Sequence, residues 1–185
     1  MRWAIRDGFI WHGETCIAKD TALIVDNNEL KDLEESDGVV HTTMPHRIDM
    51  VFAAGRRVVG VESKFGPDLL NSFRGKRLAR QVRCLIEEVD VPMVLVRGGV
   101  PEKDRLQDVP LDLYGGLVQL QMVGVVVGVG PMRDRDVVGW LAGYKKALAS
   151  ERRVLQAIAG VDSKPKENAK GSLLRAIRGV GPVLS

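Results

Sequence analysis

Two apolar, β-branched runs lie back to back in this chain, residues 49–54 (DMVFAA) and 58–64 (VVGVESK), with only Gly55-Arg56-Arg57 between them. A short glycine-containing turn between two such runs predicts a β-hairpin. Antiparallel pairing then brings Asp49, which opens one arm, and Glu62, which closes the other, to the same end of a sheet. Side chains alternate across a strand, so Glu62 and Lys64 share a face. Val58, Val59 and Val61 mark the second arm as interior, and charges buried unpaired at the end of an interior strand are costly. A bound cation removes that cost. Two carboxylates can hold a hard divalent ion through oxygen. Such an ion lowers the pKa of a bound water and stabilises charge building on a phosphate, and a lysine beside it can orient the water or offset that charge. Asp49, Glu62 and Lys64 are therefore the set that a magnesium-dependent DNA-cleaving site needs. The plain alternative for an isolated Glu-x-Lys triplet is a pair of hydrated surface charges.

The rest of the chain supplies positive charge. The net charge is +3 over 185 residues, but it is unevenly placed. Residues 71–83 hold five basic side chains (Arg74, Lys76, Arg77, Arg80, Arg83) and no acid. Residues 145–185 hold nine basic residues against three acids. Clustered positive charge beside a carboxylate site suits a phosphodiester backbone; a solvated helix face is the other reading of the 71–83 cluster. The length fits one globular domain with a small appendage. Cys16 and Cys84 lack metal-ligand spacing; Cys84 falls on an apolar helix side as a buried free thiol, and a reducing compartment is expected. No segment is apolar and long enough to span a membrane, and residues 1–7 have no apolar run behind them to make a secretory signal.

Periodicity sets out the remaining elements. Residues 21–26 read as a strand ending on Asp26, 29–36 as a short helix and 39–42 as a second strand. Asp26 fits either a second metal or water site or a cap on that helix, with Glu29 as its capping partner. Asp68, in Phe65-Gly66-Pro67-Asp68, fits either the site or the N-cap of a following helix. Leu78, Val82, Leu85, Ile86 and Val89 form one apolar stripe on a helix over 75–89, with Arg77, Arg80 and Arg83 off it. Residues 92–96 read as a core strand, 98–116 as a polar loop, 117–122 as a strand or short helix, and 124–129 as a buried strand. Residues 134–149 read as a helix with Asp134 in its first turn, where a carboxylate suits the dipole. Residues 161–171 look like a linker. His12, His41 and His46 lack metal-ligand spacing, and Trp3, Trp11 and Trp140 are scattered, so no row of aromatics for stacking bases is expected. The glycines of 124–130 lack the strand–turn–helix order of a dinucleotide loop.

The run Glu62-Ser63-Lys64-x-x-x-Asp68-Leu69-x-x-Ser72, continuing to Arg77-Leu78-x-x-Gln81, resembles the nuclease motif of the XPF-type structure-specific endonucleases, within the wider PD-(D/E)XK nuclease class. Val25-Asp26-Asn27-Asn28-Glu29 resembles that family's opening strand, and Asp49 falls where the family has its middle aspartate. The resemblance spans about residues 22–150. The chain departs from the pattern at Ser63 and Asn28, where the family has arginine, and at Ile48 and Lys76, where it has glycine. Residues 172–185, with Gly179-Val180-Gly181, resemble the first helix and turn of a helix-hairpin-helix element, whose backbone N–H groups can meet a phosphate; a plain helix C-cap at Gly179 is the alternative.

The resemblance implies an α/β fold, a restriction-endonuclease-like mixed sheet flanked by helices, with a short C-terminal helical appendage. It implies a nuclease domain over 1–159, a linker over 160–171 and a partial hairpin element over 172–185, and it favours a helix at 117–122. It implies Asp49, Glu62, Lys64, Asp26 and Asp68 as catalytic candidates, and Asp49, Glu62 and the Ser63 carbonyl as ligands of Mg²⁺ or Mn²⁺. Arg74, Lys76, Arg77, Arg80, Gln81, Gly179 and Gly181 become candidates for DNA contact. The expected activity is cleavage of branched or flap DNA by a homodimer in repair or recombination, in the cytoplasm, or the nucleus of a eukaryote. A non-cleaving DNA-binding scaffold, a Holliday-junction resolvase and a restriction-type nuclease are the rival readings.

Overall fold

The hairpin forms as expected and sits at the centre of the structure. The computed structural model describes residues 2–31, 33, 38–45, 48–98 and 111–149. The chain divides into two compact units, Met1–Lys145 and Lys146–Ser185; of the second, only residues 146–149 are described. The expected linker and the hairpin element with Gly179 and Gly181 lie outside the described residues.

In the first unit, β4 (Leu23–Asp26), β5 (Val39–Thr42), β6 (Met50–Ala54), β7 (Arg57–Phe65), β8 (Val91–Arg97) and β9 (Val126–Gly130) form a six-stranded sheet in the order β5-β4-β6-β7-β8-β9. The β4–β6 and β6–β7 pairs are antiparallel, while β4–β5, β7–β8 and β8–β9 are parallel. The sheet is therefore mixed, as the resemblance implies. All of β6 is buried, and so is β7 from Val58 to Lys64, which accounts for their near-continuous apolar runs.

Three helices cover one side. α1 (Gly66–Arg74) and α2 (Arg77–Glu88) follow β7 directly, and α3 (Leu111–Met122) precedes β9. Leu69, Leu78, Val82 and Leu113 pack with Val94 and Val96 of β8 in one apolar cluster. Gly60 sits tightly under the end of α2: a Cβ there would lie 2.8 Å from Cγ1 of Val89, the residue after the helix, and 3.0 Å from Leu85 Cδ2. On the other side, α4 (Asp134–Ala149) lays Trp140 over Gly128.

Residues 1–20 carried no expected element. Within them Trp3 to Lys19 form a three-stranded antiparallel meander, β1 (Trp3–Arg6), β2 (Phe9–His12) and β3 (Thr15–Lys19). Trp3 and Ile10 enter a cluster with Ile24, Val51, Ala53, Val58, Leu85 and Val89. Arg2 donates to Asp90 Oδ1 at 2.7 Å, and His12 Nε2 lies 3.3 Å from Glu88 Oε2.

Four expectations change. Residues 29–31 form turns instead of the start of a helix, because Leu30 adopts φ 46° and is buried together with Leu33; core burial overrides local helix propensity. The loop expected over 98–116 ends early, since α3 begins at Leu111. Gly115-Gly116 reads as a breaker, but a Cβ at Gly116 would meet Phe73 Cε2 at 2.2 Å, so that glycine serves helix packing. The strand expected to be buried at 124–129 is the sheet edge β9, with Val129 61% exposed. Cys84 is half-buried instead of buried, and Cys16 is exposed.

Candidate active site

The β6–β7 register decides which side chains meet. Met50 pairs with Val61, and the Asp49 N–H donates to the Val61 carbonyl at 3.2 Å. Continuing that ladder puts Asp49 beside Glu62 on the neighbouring strand. Asp49 Oδ2 also accepts a hydrogen bond from the Ser63 N–H at 2.7 Å. Glu62 and Lys64 share a face, and Lys64 Nζ donates to Glu62 Oε1. The expected trio is therefore assembled, at the end of β7 where α1 begins. Glu62 is 1% exposed and Lys64 5% exposed, while Asp49 is half-buried.

Burial and like charge leave these carboxyls short of a counter-ion. Burial, and then the charge of Glu62, pushes the Asp49 carboxyl up to about 8, although the Ser63 N–H and Lys64 act the other way. Glu62 is raised by burial too, with Lys64 and a hydrogen bond to Asp49 opposing the rise. Glu29, in the turn after β4, is raised to about 7 by burial and by the charge of Asp49. Raised values of this kind mean that these acids keep their protons to higher pH than a solvated carboxylate does.

The donor set suits one particular kind of ion. Among the described residues, no group of three His, Cys, Asp or Glu side chains is arranged to hold a metal. Two carboxylates with water completing the shell match the needs of Mg²⁺, which dehydrates reluctantly and takes one or two protein carboxylates. Two buried oxygens, Ser63 Oγ and Gln81 Oε1, have no hydrogen-bond partner. Strand alternation turns the Ser63 side chain away from Glu62, so any part Ser63 takes beside those acids runs through its main chain.

The other candidates divide. Asp26 is tied into local structure: Oδ1 accepts from the Asn28 N–H and Nδ2 at 3.0 Å each, and Oδ2 from the Met44 N–H at 3.1 Å. Burial opposes its charge, but those hydrogen bonds prevail and lower its pKa. Asp68 is not a cap; Phe65 holds the N-cap position of α1 without a side-chain cap bond. Asp68 instead accepts from Arg77 and stands 3.7 Å from Lys64 Nζ. Arg77 also donates from Nε to the buried Ser72 Oγ at 3.1 Å. Gln81 points inward, its Nε2 2.5 Å from Glu62 Oε1. A polar chain thus runs from Arg77 through Asp68 and Lys64 to Glu62, with Gln81 closing on the last. Arg74, Lys76 and Arg80 are exposed around the α1–α2 junction.

Two participants escaped the sequence reading. One is Glu29 as more than a capping partner of Asp26. The other is Arg97 at the end of β8, 2% exposed, its guanidinium 4.5 Å from the Phe65 ring centroid and bonded to the Met132 carbonyl and to Asp134 Oδ1. The signal for Arg97 was the one that picked out Glu62, a charge closing an interior apolar strand. A cavity of about 520 Å³ lined by Leu33 and residues 132–136 includes none of the Asp49–Glu62–Lys64 trio; the pairing of charges marks this site.

A mixed sheet carrying an acid before β6 and an acid and lysine near the end of β7, with helices on both sides, defines the restriction-endonuclease-like fold class. Within that class the chain has the XPF nuclease-like fold. It is similar to XPF from Aeropyrum pernix with TM-score 0.55 and 21% identity, covering 84% of this chain and 80% of that one. It is also similar to XPF from Aeropyrum pernix in complex with DNA, with TM-score 0.52, 18% identity and the same coverage. No family model matches the sequence, and no curated protein matches it. Among the described residues, no helix is long and apolar enough to cross a membrane.

Proposed function

We propose that this chain is a metal-dependent DNA endonuclease that hydrolyses phosphodiester bonds at branched or flap DNA in repair or recombination. One observation carries the reading: Asp49 and Glu62 lie side by side on neighbouring strands, both reluctant to ionise, with Lys64 bonded to Glu62. Asp49, Glu62 and the Ser63 carbonyl hold the Mg²⁺ or Mn²⁺ ion. The bound ion supplies an acidified water and charge stabilisation at the phosphate. Lys64 positions that water, and Gln81 fixes the Glu62 carboxylate that Lys64 also contacts. Arg74, Lys76 and Arg80 meet phosphates, which sets position without reading bases; DNA shape then selects the substrate. Asp68 holds Arg77 and steadies Lys64, and Asp26 orders the turn that carries Glu29. The working form is a homodimer, and Gly179 and Gly181 extend the DNA contact.

The closed ion pair between Glu62 and Lys64, both nearly solvent-free, also favours a second reading, a scaffold that binds DNA without cutting it. Incubating a flap, a plain duplex and a four-way junction with Mg²⁺ or Mn²⁺ separates the two. Cutting of the flap that disappears in Glu62→Ala, with DNA binding retained, supports the nuclease. Binding without cutting in either metal replaces it by the scaffold.

A further inference from the structure

The tryptophans are scattered in sequence, yet the meander gathers two aromatic rings and two cations on one face. In β1 and β2, Trp3 pairs with His12 and Ile5 with Ile10; Trp3 and Ile10 are buried, and Ile5 packs against the core. The alternate pairs, Ala4 with Trp11 and Arg6 with Phe9, therefore share the opposite, outer face. On β3, Phe9 pairs with Lys19 and Trp11 with Cys16. A register shift between Ile10 and Trp11 lets Ile17 and Ala18 both turn toward the core while Lys19 and Cys16 remain exposed. Phe9 is 37% exposed.

The face is held in shape before any ligand arrives. Trp11 Nε1 donates to the Arg6 carbonyl at 3.3 Å, and the Arg6 guanidinium stands 5.9 Å from the indole centroid. That separation is near the outer limit for a cation–π contact and Trp11 is half-buried, so a stacked base would share the ring with the Arg6 guanidinium. Two ring faces with Arg6 and Lys19 beside them form a base-stacking and phosphate-binding combination. Stacking on aromatic rings with basic side chains tracking the backbone is how unpaired nucleic acid is bound without sequence preference. Preorganised rings lose little freedom on binding. The meander's inner face packs near Val58, toward the start of β7, roughly 13 Å along that strand from Glu62 at the usual rise per residue.

We propose that the outer face of β1–β3 binds a single-stranded DNA arm, with bases stacked on Trp11 and Phe9 and phosphates met by Arg6 and Lys19. This rests on the nuclease reading only in making the strand an arm of the same substrate. The test is binding of the full chain, in EDTA, to a blunt duplex and to the same duplex carrying a single-stranded tail of about 10 nucleotides, a length in the usual range for such surfaces. Wild type should prefer the tailed duplex. Trp11→Ala and Phe9→Ala should each lower that preference by about tenfold, the loss expected for one stacked base, with blunt-duplex affinity unchanged. Trp11→Phe should restore most of it. Because Trp11 also packs on the sheet, a second readout guards against misfolding: in Cys84→Ser protein, a tail carrying an activated mixed disulfide should exchange with the Cys16 thiol, opposite Trp11, forming the protein–DNA disulfide and releasing the leaving thiol, and the same group on the duplex end should not. No tail preference, a preference untouched by both alanine variants, or equal losses on tailed and blunt DNA would each overturn the proposal. Failure to cut DNA leaves this binding test intact, and normal cutting without tail preference sinks this inference alone.

Discussion

Replacing Asp49 by asparagine should make the metal-free protein more stable at neutral and alkaline pH while removing one of the two carboxylates proposed to bind the ion. In the folded chain the Asp49 carboxyl is raised from 3.8 to about 8. Each pH unit of that rise is worth ~1.4 kcal/mol, so holding Asp49 charged costs on the order of 5 kcal/mol against a typical total stability of ~5–15 kcal/mol. Below about pH 4 both folded and unfolded chains keep this proton, and the Asp49 contribution to stability is at its fullest. Between about pH 4 and 8 the unfolded chain loses the proton and the folded chain keeps it, so stability falls as pH rises. Above the folded value the loss is complete. Glu62 and Glu29 are shifted the same way and steepen the fall. The substituted asparagine would still accept the Ser63 N–H through its amide oxygen and would carry no charge beside Glu62. Urea unfolding at pH 5.5, 7 and 8.5 should show wild type losing about 3 kcal/mol more than Asp49→Asn across the range. Saturating Mg²⁺ at pH 8.5 should recover ~3 kcal/mol in wild type at a hundredfold excess over its dissociation constant and nothing in the variant. Parallel pH curves for the two proteins would refute the idea that Asp49 is held uncharged by burial beside Glu62.

Metal affinity, read by calorimetry, should rise with pH between 6 and 8.5 with proton release, because the acids must give up their proton to bind; a flat profile would mean that the ion binds elsewhere. Gly60→Ala should destabilise the fold by about 1–3 kcal/mol through overpacking, since the added Cβ would sit 2.8 Å from Val89 Cγ1; a neutral effect in thermal unfolding would show that α2 yields easily. Replacing Arg74, Lys76 and Arg80 together by alanine should weaken duplex binding and flatten its salt dependence by roughly one unit of slope per lost phosphate contact. An unchanged slope would place that exposed cluster away from DNA.

Much of the centre of this fold was legible because its signals are local. The 49–54 and 58–64 runs flank a three-residue turn, and strand pairing follows from that pattern alone. Asp49 and Glu62 meet because one register determines all partners along a hairpin. The helix over 134–149 is the same in the structure, its periodicity uninterrupted. Where glycines or a polar stretch served packing, local rules misled: Gly116 sits inside α3 against Phe73, and Leu30 turns the backbone so that it can be buried.

The sequence by itself determined the hairpin, the shared face of Glu62 and Lys64, and the acid that faces them across the ladder, because backbone geometry converts spacing into direction over a few residues. Only the tertiary structure decided that Gln81 turns inward onto Glu62, that Asp68 engages Arg77, that Arg97 is buried under Phe65, and that residues 3–19 fold into a sheet packed on the core. Those outcomes depend on contacts between residues far apart in the chain, which depend on how whole elements pack and leave no mark in local spacing.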